Sequence, residues 1–202
     1  MSRFVAFIVL AAALATAFTA TFGLLGCASN QARGPYQPGS ESARDTQRAT
    51  ALNQRAMPYM DKGDSESLHH AEELLREALT ADLYYGPAHN NLGVVFLSRG
   101  ALFDAAGEFE WARKLMPGHP DPRVNLALTL ETAGRNNEAI ETYLAAVEVY
   151  PDHIAAIQGL ARLSIKSGRR DERTPAWLRD IAMRGENEQW REWARSELAL
   201  RH

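Results

Sequence analysis

The sequence predicts an all-α protein, an α-solenoid of antiparallel helix hairpins that is closed by C-terminal capping helices. Three observations predict it: a 34-residue internal repeat over about residues 86–168, a glycine within each copy, and a proline at the end of each intact copy. A hairpin of this length buries its apolar face only by stacking against a neighbouring hairpin. The repeat therefore indicates a row of stacked hairpins.

The repeat appears when the chain is aligned with itself at a shift of 34 residues. Apolar residues then form one stripe on each helix, and small residues mark the places where two helices cross too closely for larger side chains. Proline ends a helix because it has no backbone N–H to donate. The aligned positions are Leu92, Leu126 and Leu160; Gly93, Ala127 and Ala161; Gly100, Gly134 and Gly168; Ala105 and Ala139; Phe109 and Tyr143; Ala112 and Ala146; Pro117 and Pro151.

Residues 47–85 fit a degenerate first copy of the repeat, with three extra residues in the turn between its helices. Ala56, Tyr59 and Gly63 fill the first-helix positions, and Ala71, Leu75 and Ala78 fill those of the second helix. The stretch 64–70 would hold the insertion. Pro58 falls inside the first helix, where proline costs about 3 kcal/mol, so we expect a kink there.

Residues 86–119 and 120–153 are predicted to be two intact hairpins, and residues 154–202 a partial hairpin followed by a cap. Arg173 and Asp180 occupy positions that are alanine in the intact copies, so the second helix cannot follow in register. Thr174 and Pro175 instead predict a new helix, with Thr174 as the N-cap and Pro175 at the first helical position. Two apolar stripes would cover the end of the row: Trp177, Leu178, Ile181 and Ala182, then Trp190, Trp193, Ala194 and Leu198.

These residues resemble the tetratricopeptide repeat family. Its small–large signature stands here as Leu92-Gly93-x-x-Phe96 with Ala105, Phe109, Ala112 and Pro117, and again as Leu126-Ala127-x-x-Leu130 with Ala139, Tyr143, Ala146 and Pro151. The resemblance implies a superhelix in which the first helix of every hairpin lines a concave groove. It also implies a function in protein–protein interaction.

The resemblance places a set of residues in this groove by register. They form an apolar floor flanked by side-chain amides, which can bond both the N–H and the C=O of an extended peptide. The alternative for Asn91 and Asn125 is bonding to their own neighbouring turns. The predicted groove residues are Asn90, Asn91, Val94, Leu97, Val124, Asn125, Leu128, Glu131, Gln158, Arg162 and Ile165, with Pro87, Ser98, Asn53, Met57 and Met60 beside them.

Some members of the family hold a partner's terminal carboxylate with lysine and arginine side chains. In this sequence only Arg162 is well placed for such a contact, and no lysine lies near Asn90 or Asn125. The resemblance therefore does not extend to that specificity.

The N-terminal segment 1–26 resembles a bacterial lipoprotein signal peptide. Arg3 precedes an uncharged apolar run over residues 4–25, and Gly26-Cys27 closes the run. The resemblance implies that Cys27, the only cysteine, is lipidated and becomes the new N-terminus. The alternative is an uncleaved membrane anchor, since about 20 apolar residues span a bilayer. Residues 27–46 are expected to be the lipidated cysteine and a disordered tether.

The expected location is the cell envelope, with the lipid anchor in the periplasmic face of the outer membrane. By family resemblance, Ala28 after the cysteine implies outer-membrane sorting. The alternative is the inner membrane, with the N-terminal segment uncleaved.

No pattern indicates a catalytic, cofactor or metal site. His69 and His70, with Glu73, are interpreted as part of a solvated loop, and a minor hydrolase at this turn is kept as an alternative. His89 is expected to pack against the preceding unit. Four carboxylates are expected on solvated outer faces: Glu108, Glu110, Glu138 and Glu141. A net charge of −3 without a basic block argues against nucleic acid as a partner.

The sequence therefore predicts a membrane-tethered adaptor that binds another envelope protein or an extended peptide segment. It is similar to the repeat lipoproteins that assist assembly of pili or secretion complexes. A component of outer-membrane-protein or cell-wall assembly machinery is the alternative. A further alternative is a spacer that self-associates through Trp190 and Trp193.

Overall fold

Nine α-helices, joined by short turns, make up the part of the chain that the structure describes. The structure is a computed structural model that describes residues 44–169 and 171–200. The predicted signal peptide, Cys27 and the tether up to residue 43 lie outside the described residues. The helices are α1 Thr46–Lys62, α2 Ser65–Ala81, α3 Gly86–Ser98, α4 Leu102–Leu115, α5 Asp121–Thr132, α6 Asn136–Val149, α7 Ile154–Lys166, α8 Thr174–Arg184 and α9 Glu188–Ala199.

Consecutive helices pair as antiparallel hairpins, α1 with α2, α3 with α4 and α5 with α6, and each hairpin packs on the next. The first helices α1, α3, α5 and α7 also contact one another in sequence, and do so more extensively than the second helices. The first helices therefore lie on the inner side of the row. The predicted fold class, an all-α solenoid of helix hairpins, is confirmed.

Tight turns at glycine join the two helices of each hairpin. Gly100 and Gly134 have φ values of 76° and 78°, a left-handed conformation that is strained for residues with a side chain. The next helix begins two residues later, at Leu102 and Asn136. The spacing of these glycines therefore sets the length of the first helix in each repeat.

The small residues of the repeat lie where the helices cross. A Cβ atom added to Gly93 would lie 2.6 Å from the buried ring of Phe109, so the ring occupies the space that a larger residue would need. Ala127 and Ala161, at the equivalent positions, are fully buried. The close packing predicted for these positions is present.

The turn of the first hairpin does not contain the predicted insertion. Helix α2 begins at Ser65, one residue after its N-cap Asp64, so the extra residues lengthen the helix instead of the turn. Helix α1 runs continuously from Thr46 to Lys62, with Pro58 inside it.

The folded part also begins earlier than the predicted boundary at residue 47. Asp45 caps α1 by accepting a hydrogen bond from the backbone N–H of Arg48, and its own N–H donates to the carbonyl of Ala81 at 2.9 Å. Arg44 and Thr46 both bind the side chain of Asp82. Residues 44–46, predicted as tether, are therefore attached to the first hairpin.

Helix α8 packs on α7 and on α9, and Trp190 of α9 reaches Arg162 of α7. The stripe on α8 is buried as predicted, with Leu178 and Ile181 inaccessible to solvent. The cap position falls on Arg173, and its side chain makes no capping hydrogen bond. Thr174, predicted as the N-cap, is the first helical residue, so α8 begins one position earlier than predicted. On α9, Trp190 packs edge to face against Trp193 with ring centres 5.4 Å apart.

Candidate functional site

The first helices present the predicted groove residues on one face of the row. Leu128 is 40% exposed, while Val94, Leu97, Val124 and Ile165 are partly buried against the core beneath them. These five residues form an apolar floor that remains accessible from the inner side. At its N-terminal end, Met57 of α1 is 50% exposed and Met60 is partly buried.

Four asparagine side chains form a continuous hydrogen-bonded row across α1, α3 and α5. Asn125 donates to Asn90 at 3.0 Å, Asn90 donates weakly to Asn91 at 3.5 Å, and Asn91 donates to Asn53 at 2.9 Å. The amides thus bond one another across helices, and not the turns next to them. Asn53 is almost fully buried, whereas the other three are partly exposed. We call these four residues the amide row.

The charged pair of the groove lies between α5 and α7. Arg162 donates two parallel hydrogen bonds to the carboxylate of Glu131, at 2.7 and 2.8 Å. Bidentate pairs of this kind fix both side chains and neutralise both charges. The Arg162 guanidinium also lies 5.9 Å from the ring centre of Trp190. Arg162, the residue predicted to be best placed for a carboxylate ligand, already binds one within the chain.

The pair also acts on Tyr143 beneath it. Burial raises the pKa of the Tyr143 phenol, and the negative charge of Glu131 raises it further, while Arg162 opposes the shift. The tyrosine therefore stays neutral at physiological pH.

Gln158 does not lie on the open face where the register placed it. Only 2% of the residue is exposed, because α9 and the residues before it cover it. With its amide oriented to satisfy both neighbours, Gln158 donates to Glu186 at 3.2 Å and accepts from the indole N–H of Trp190 at 3.3 Å. The C-terminal cap thus closes this end of the groove.

A shallow cleft of about 260 Å³ lies beside the amide row, at the inner edge between α3 and α5. Pro87, Asn90 and Asn91 line one side, and Met116, His119, Asp121 and Pro122 line the other. Met116 and Pro122 were not among the predicted groove residues, because Met116 follows the last residue of α4 and Pro122 lies in the first turn of α5. The proline-containing turn brings them to the groove.

The structure corrects the prediction for Glu108 and gives His89 a partner within the second hairpin. Glu108 is only 5% exposed and is not on a solvated face. Its carboxylate lies 2.7 Å from Nδ1 of the fully buried His89, and Nε2 of His89 lies 2.8 Å from the carbonyl oxygen of Leu83. A carbonyl only accepts, so Nε2 carries a proton. His89 therefore pairs within its own hairpin, as well as contacting the segment that precedes it.

His69 and His70 lie on helix α2 and not in a loop. Both approach Glu73, at 3.6 and 3.3 Å, and all three side chains are more than half exposed. Across residues 44–169 and 171–200, no three His, Cys, Asp or Glu side chains are grouped in a way that could hold a metal ion. None of the helices in these ranges combines the length and the hydropathy needed to cross a membrane.

Comparison with known proteins identifies the fold. Residues 121–153 match the family model of the tetratricopeptide repeat, and this segment is the α5–α6 hairpin. No curated protein sequence matches the chain.

Several solved structures share the arrangement of helices. The first TPR of Spaghetti (RPAP3), bound to the HSP90 peptide SRMEEVD, has a TM-score of 0.58 and 17% identity, over 62% of this chain and 98% of that one. The Sgt2 TPR domain from Aspergillus fumigatus has a TM-score of 0.58 and 20% identity, over 64% and 85% of the two chains. Pseudomonas aeruginosa pilF has a TM-score of 0.62 and 20% identity, over 71% and 64%. These similarities establish a tetratricopeptide-type solenoid fold.

Proposed function

We propose that this tetratricopeptide-type solenoid is a non-catalytic adaptor that binds an extended segment of another protein along its first helices. The observation that carries the proposal is the accessible apolar floor, Val94, Leu97, Val124, Leu128 and Ile165, lying beside the amide row on one face. Extended peptides are recognised by pockets for their side chains and by polar groups for their backbone. Both kinds of group are present here.

The amide row favours binding because its geometry is fixed before a ligand arrives. Each amide has two N–H donors and an acceptor oxygen, and the bonds within the row use only part of this capacity. Asn90, Asn91 and Asn125 are partly exposed, so their remaining groups can reach a peptide backbone. Side chains already held in place lose less conformational entropy on binding.

The charges of the groove indicate the kind of segment that fits. Arg162 and Glu131 neutralise each other, and α3 carries neither lysine nor arginine. The peptide in the RPAP3 structure, SRMEEVD, is rich in acidic residues. We infer a different preference here, for a segment that places aliphatic side chains on the floor and few charges against it.

Replacing two floor residues tests the groove directly. The double variant Leu97→Asp/Leu128→Asp should abolish partner capture, because it places two charges on the floor and replaces no fully buried residue. Capture is measured by crosslinking in intact cells followed by affinity purification of the full chain. Met183→Asp, an equally drastic change at a residue of α8 that is 72% exposed, is the matched control.

Helical content, measured by circular dichroism, should be the same in both variants. Capture retained by the double variant, or lost equally in the control, would rule out the groove as the binding surface.

We further propose that a lipid on Cys27 tethers the adaptor in the cell envelope, at the periplasmic face of the outer membrane. Acyl chains contribute about 0.8 kcal/mol for each buried CH₂ group, so several chains would hold the protein there permanently. A flexible tether then raises the effective concentration of a bound partner at the membrane. We propose that its role is to assist assembly of a pilus or secretion complex, on the basis of the resemblance of residues 1–26 and of the repeats to lipoproteins of that kind.

Outer-membrane-protein or cell-wall assembly is the alternative process. The neighbouring genes separate the two: genes for pilus ATPases and secretins support the first, and genes for envelope-assembly factors or wall enzymes support the second.

A further inference from the structure

A second exposed apolar surface lies on α4, away from the groove. Phe103 is 91% exposed and Trp111 is 41% exposed. They are eight residues apart, a little more than two helical turns, so both lie on the same side of the helix. Gly107 lies midway between them on that side. We call these three residues the aromatic notch.

Nothing within the described part of the chain accounts for glycine at position 107. A Cβ atom added there would have no neighbour within 4 Å, whereas one added to Gly93 or Gly159 would meet an aromatic ring within 3 Å. Glycine inside a helix destabilises it relative to alanine. A close approach from outside is the remaining use for a glycine at this position.

Trp111 is held in place from beneath. Its ring stacks on the buried His89 ring, with centres 5.5 Å apart and planes 11° from parallel, and His89 is bonded to Glu108 and Leu83. An aromatic ring that is fixed on one side and exposed on the other is a typical anchor of a protein interface. Trp111 thus forms a rigid wall of the notch.

The helices around the notch are acidic. Helices α2, α4 and α6 together carry ten aspartate and glutamate residues against three lysine and arginine residues. The first helices α1, α3, α5 and α7 carry three against six. The second helices therefore favour a positively charged partner, while the groove does not.

The acidic residues lie on both sides of the notch. In the register of the repeat, the positions equivalent to Gly107 are Glu73 on α2 and Glu141 on α6, whose side chains are 56% and 63% exposed. Glu73 faces His69 and His70, and Glu141 pairs with Arg169 at 2.6 Å, so a partner's cations would compete with exposed pairs that contribute little to stability. A ligand that fills the notch would therefore have carboxylates on either side of it.

We propose that the aromatic notch is a second docking surface, which receives an amphipathic helix with an aliphatic face flanked by lysine or arginine. A bulky aliphatic side chain would insert over Gly107 between the two aromatic rings. The flanking cations would reach the carboxylates of α2 and α6. This partner is distinct from the segment proposed for the groove.

Designed peptides test the proposal without knowledge of the natural partner. The probes are a labelled amphipathic helix of leucine and lysine and a counterpart of leucine and glutamate with the same apolar face. The full chain is held in phosphatidylcholine nanodiscs, and binding to empty discs is subtracted. The lysine peptide should bind at least tenfold more tightly than the glutamate peptide, as measured by fluorescence anisotropy.

Three variants locate the site. Phe103→Ser and Gly107→Leu should each weaken binding of the lysine peptide at least tenfold, and Gly107→Leu should not lower the melting temperature because leucine favours helix. Met183→Ser, which removes an exposed apolar side chain from α8, should leave binding unchanged.

Equal binding of the two peptides, or binding insensitive to Phe103→Ser and Gly107→Leu, would overturn the proposal. Loss of binding in Leu97→Asp/Leu128→Asp would also overturn it, since the peptide would then occupy the groove. Self-association that disappears in Phe103→Ser would assign the notch to a second copy of the chain instead. The notch is tested with designed peptides and the groove by capture of a cellular partner. A negative result for the groove variants in the capture experiment therefore does not change the result expected for the peptides.

Discussion

At the scale of single residues, Asp82 fastens the start of the folded part to the end of the first hairpin. Its side chain, only 1% exposed, accepts hydrogen bonds from Arg44 at 3.0 Å and Thr46 at 2.6 Å, and from the backbone N–H of Tyr84 at 3.0 Å. Burial raises the pKa of Asp82, but these hydrogen bonds outweigh it and leave the pKa below its ordinary value of 3.8. Sequence periodicity could not show this network, because it joins residues that are not part of the repeat.

The lowered pKa gives a prediction about stability and pH. Asp82→Asn should reduce the free energy of unfolding near neutral pH by about 2 kcal/mol, because the charged acceptor is lost. Since the folded-state pKa is lower than the unfolded one, this contribution is present above pH 3.8 and is lost as the pH falls below it. Urea titrations of both proteins at a series of pH values should therefore converge under acid. A difference in free energy of unfolding that stays constant with pH would contradict the assignment. Asp45→Asn is the control: it preserves a capping side chain, so it should have little effect on stability at neutral pH.

The buried pair of His89 and Glu108 gives a second prediction. Glu108→Leu should destabilise the protein by about 1–3 kcal/mol, because it removes a hydrogen-bond partner of a buried ring nitrogen. Glu108→Gln should cost less, since its amide N–H can donate to Nδ1 while Nε2–H still donates to Leu83. Thermal or urea unfolding measures both variants. Equal losses of stability would mean that the hydrogen bond contributes little and that the packing of residue 108 dominates.

At the scale of helices, the repeat predicted the elements well, because glycine turns and terminal prolines restrict the backbone in ways that depend on few other residues. Gly93 and its equivalents were also predictable, since close crossings demand small residues. The close packing at Gly159 was not predictable. The ring of Tyr143 occupies the space beside Gly159. Phe109 is equivalent to Tyr143 in the repeat, but its ring packs on Gly93 of its own hairpin. The sequence shows that the two aromatic residues are equivalent, but the direction in which each ring points depends on packing between hairpins. Glu108 was missed because its position in the sequence resembles that of solvated carboxylates.

Two glycine-to-alanine substitutions test this account of packing. Gly93→Ala should destabilise the protein by about 1–3 kcal/mol, because the new methyl group would lie within 3 Å of the buried Phe109 ring. Gly107→Ala should stabilise it by about 1 kcal/mol, because the space is open and alanine favours helix. Differential scanning calorimetry should show melting temperatures that move in opposite directions. Shifts of the same sign would contradict the assigned helix crossings.

At the scale of the whole molecule, the hairpin row divides its surface by charge and chemistry. The inner face carries the apolar floor and the amide row, and the second helices carry acidic residues around the aromatic notch. The register of the repeat predicts which residues lie on the first helices at this face, and their binding of a partner stays a prediction. It misplaced Gln158, because the C-terminal cap that covers it departs from the repeat.

The proposed lipid anchor on Cys27 belongs to this scale as well. Cys27→Ala should leave the N-terminal segment uncleaved and should abolish labelling with a radioactive fatty acid, because the only acyl acceptor is removed. The mass of the purified protein and the label together measure the outcome. An unmodified, uncleaved N-terminus in the unsubstituted protein would instead support the transmembrane anchor.

The most direct test of the central claim is photocrosslinking from the inner face in intact cells. A photoreactive residue at position 128, on the apolar floor, should yield one defined adduct with another protein, and the adduct should disappear when Leu97→Asp is added. The same residue at position 183, on exposed α8, should yield no such adduct. The absence of an adduct at position 128, or the same adducts at both positions, would show that the inner face is not the binding surface.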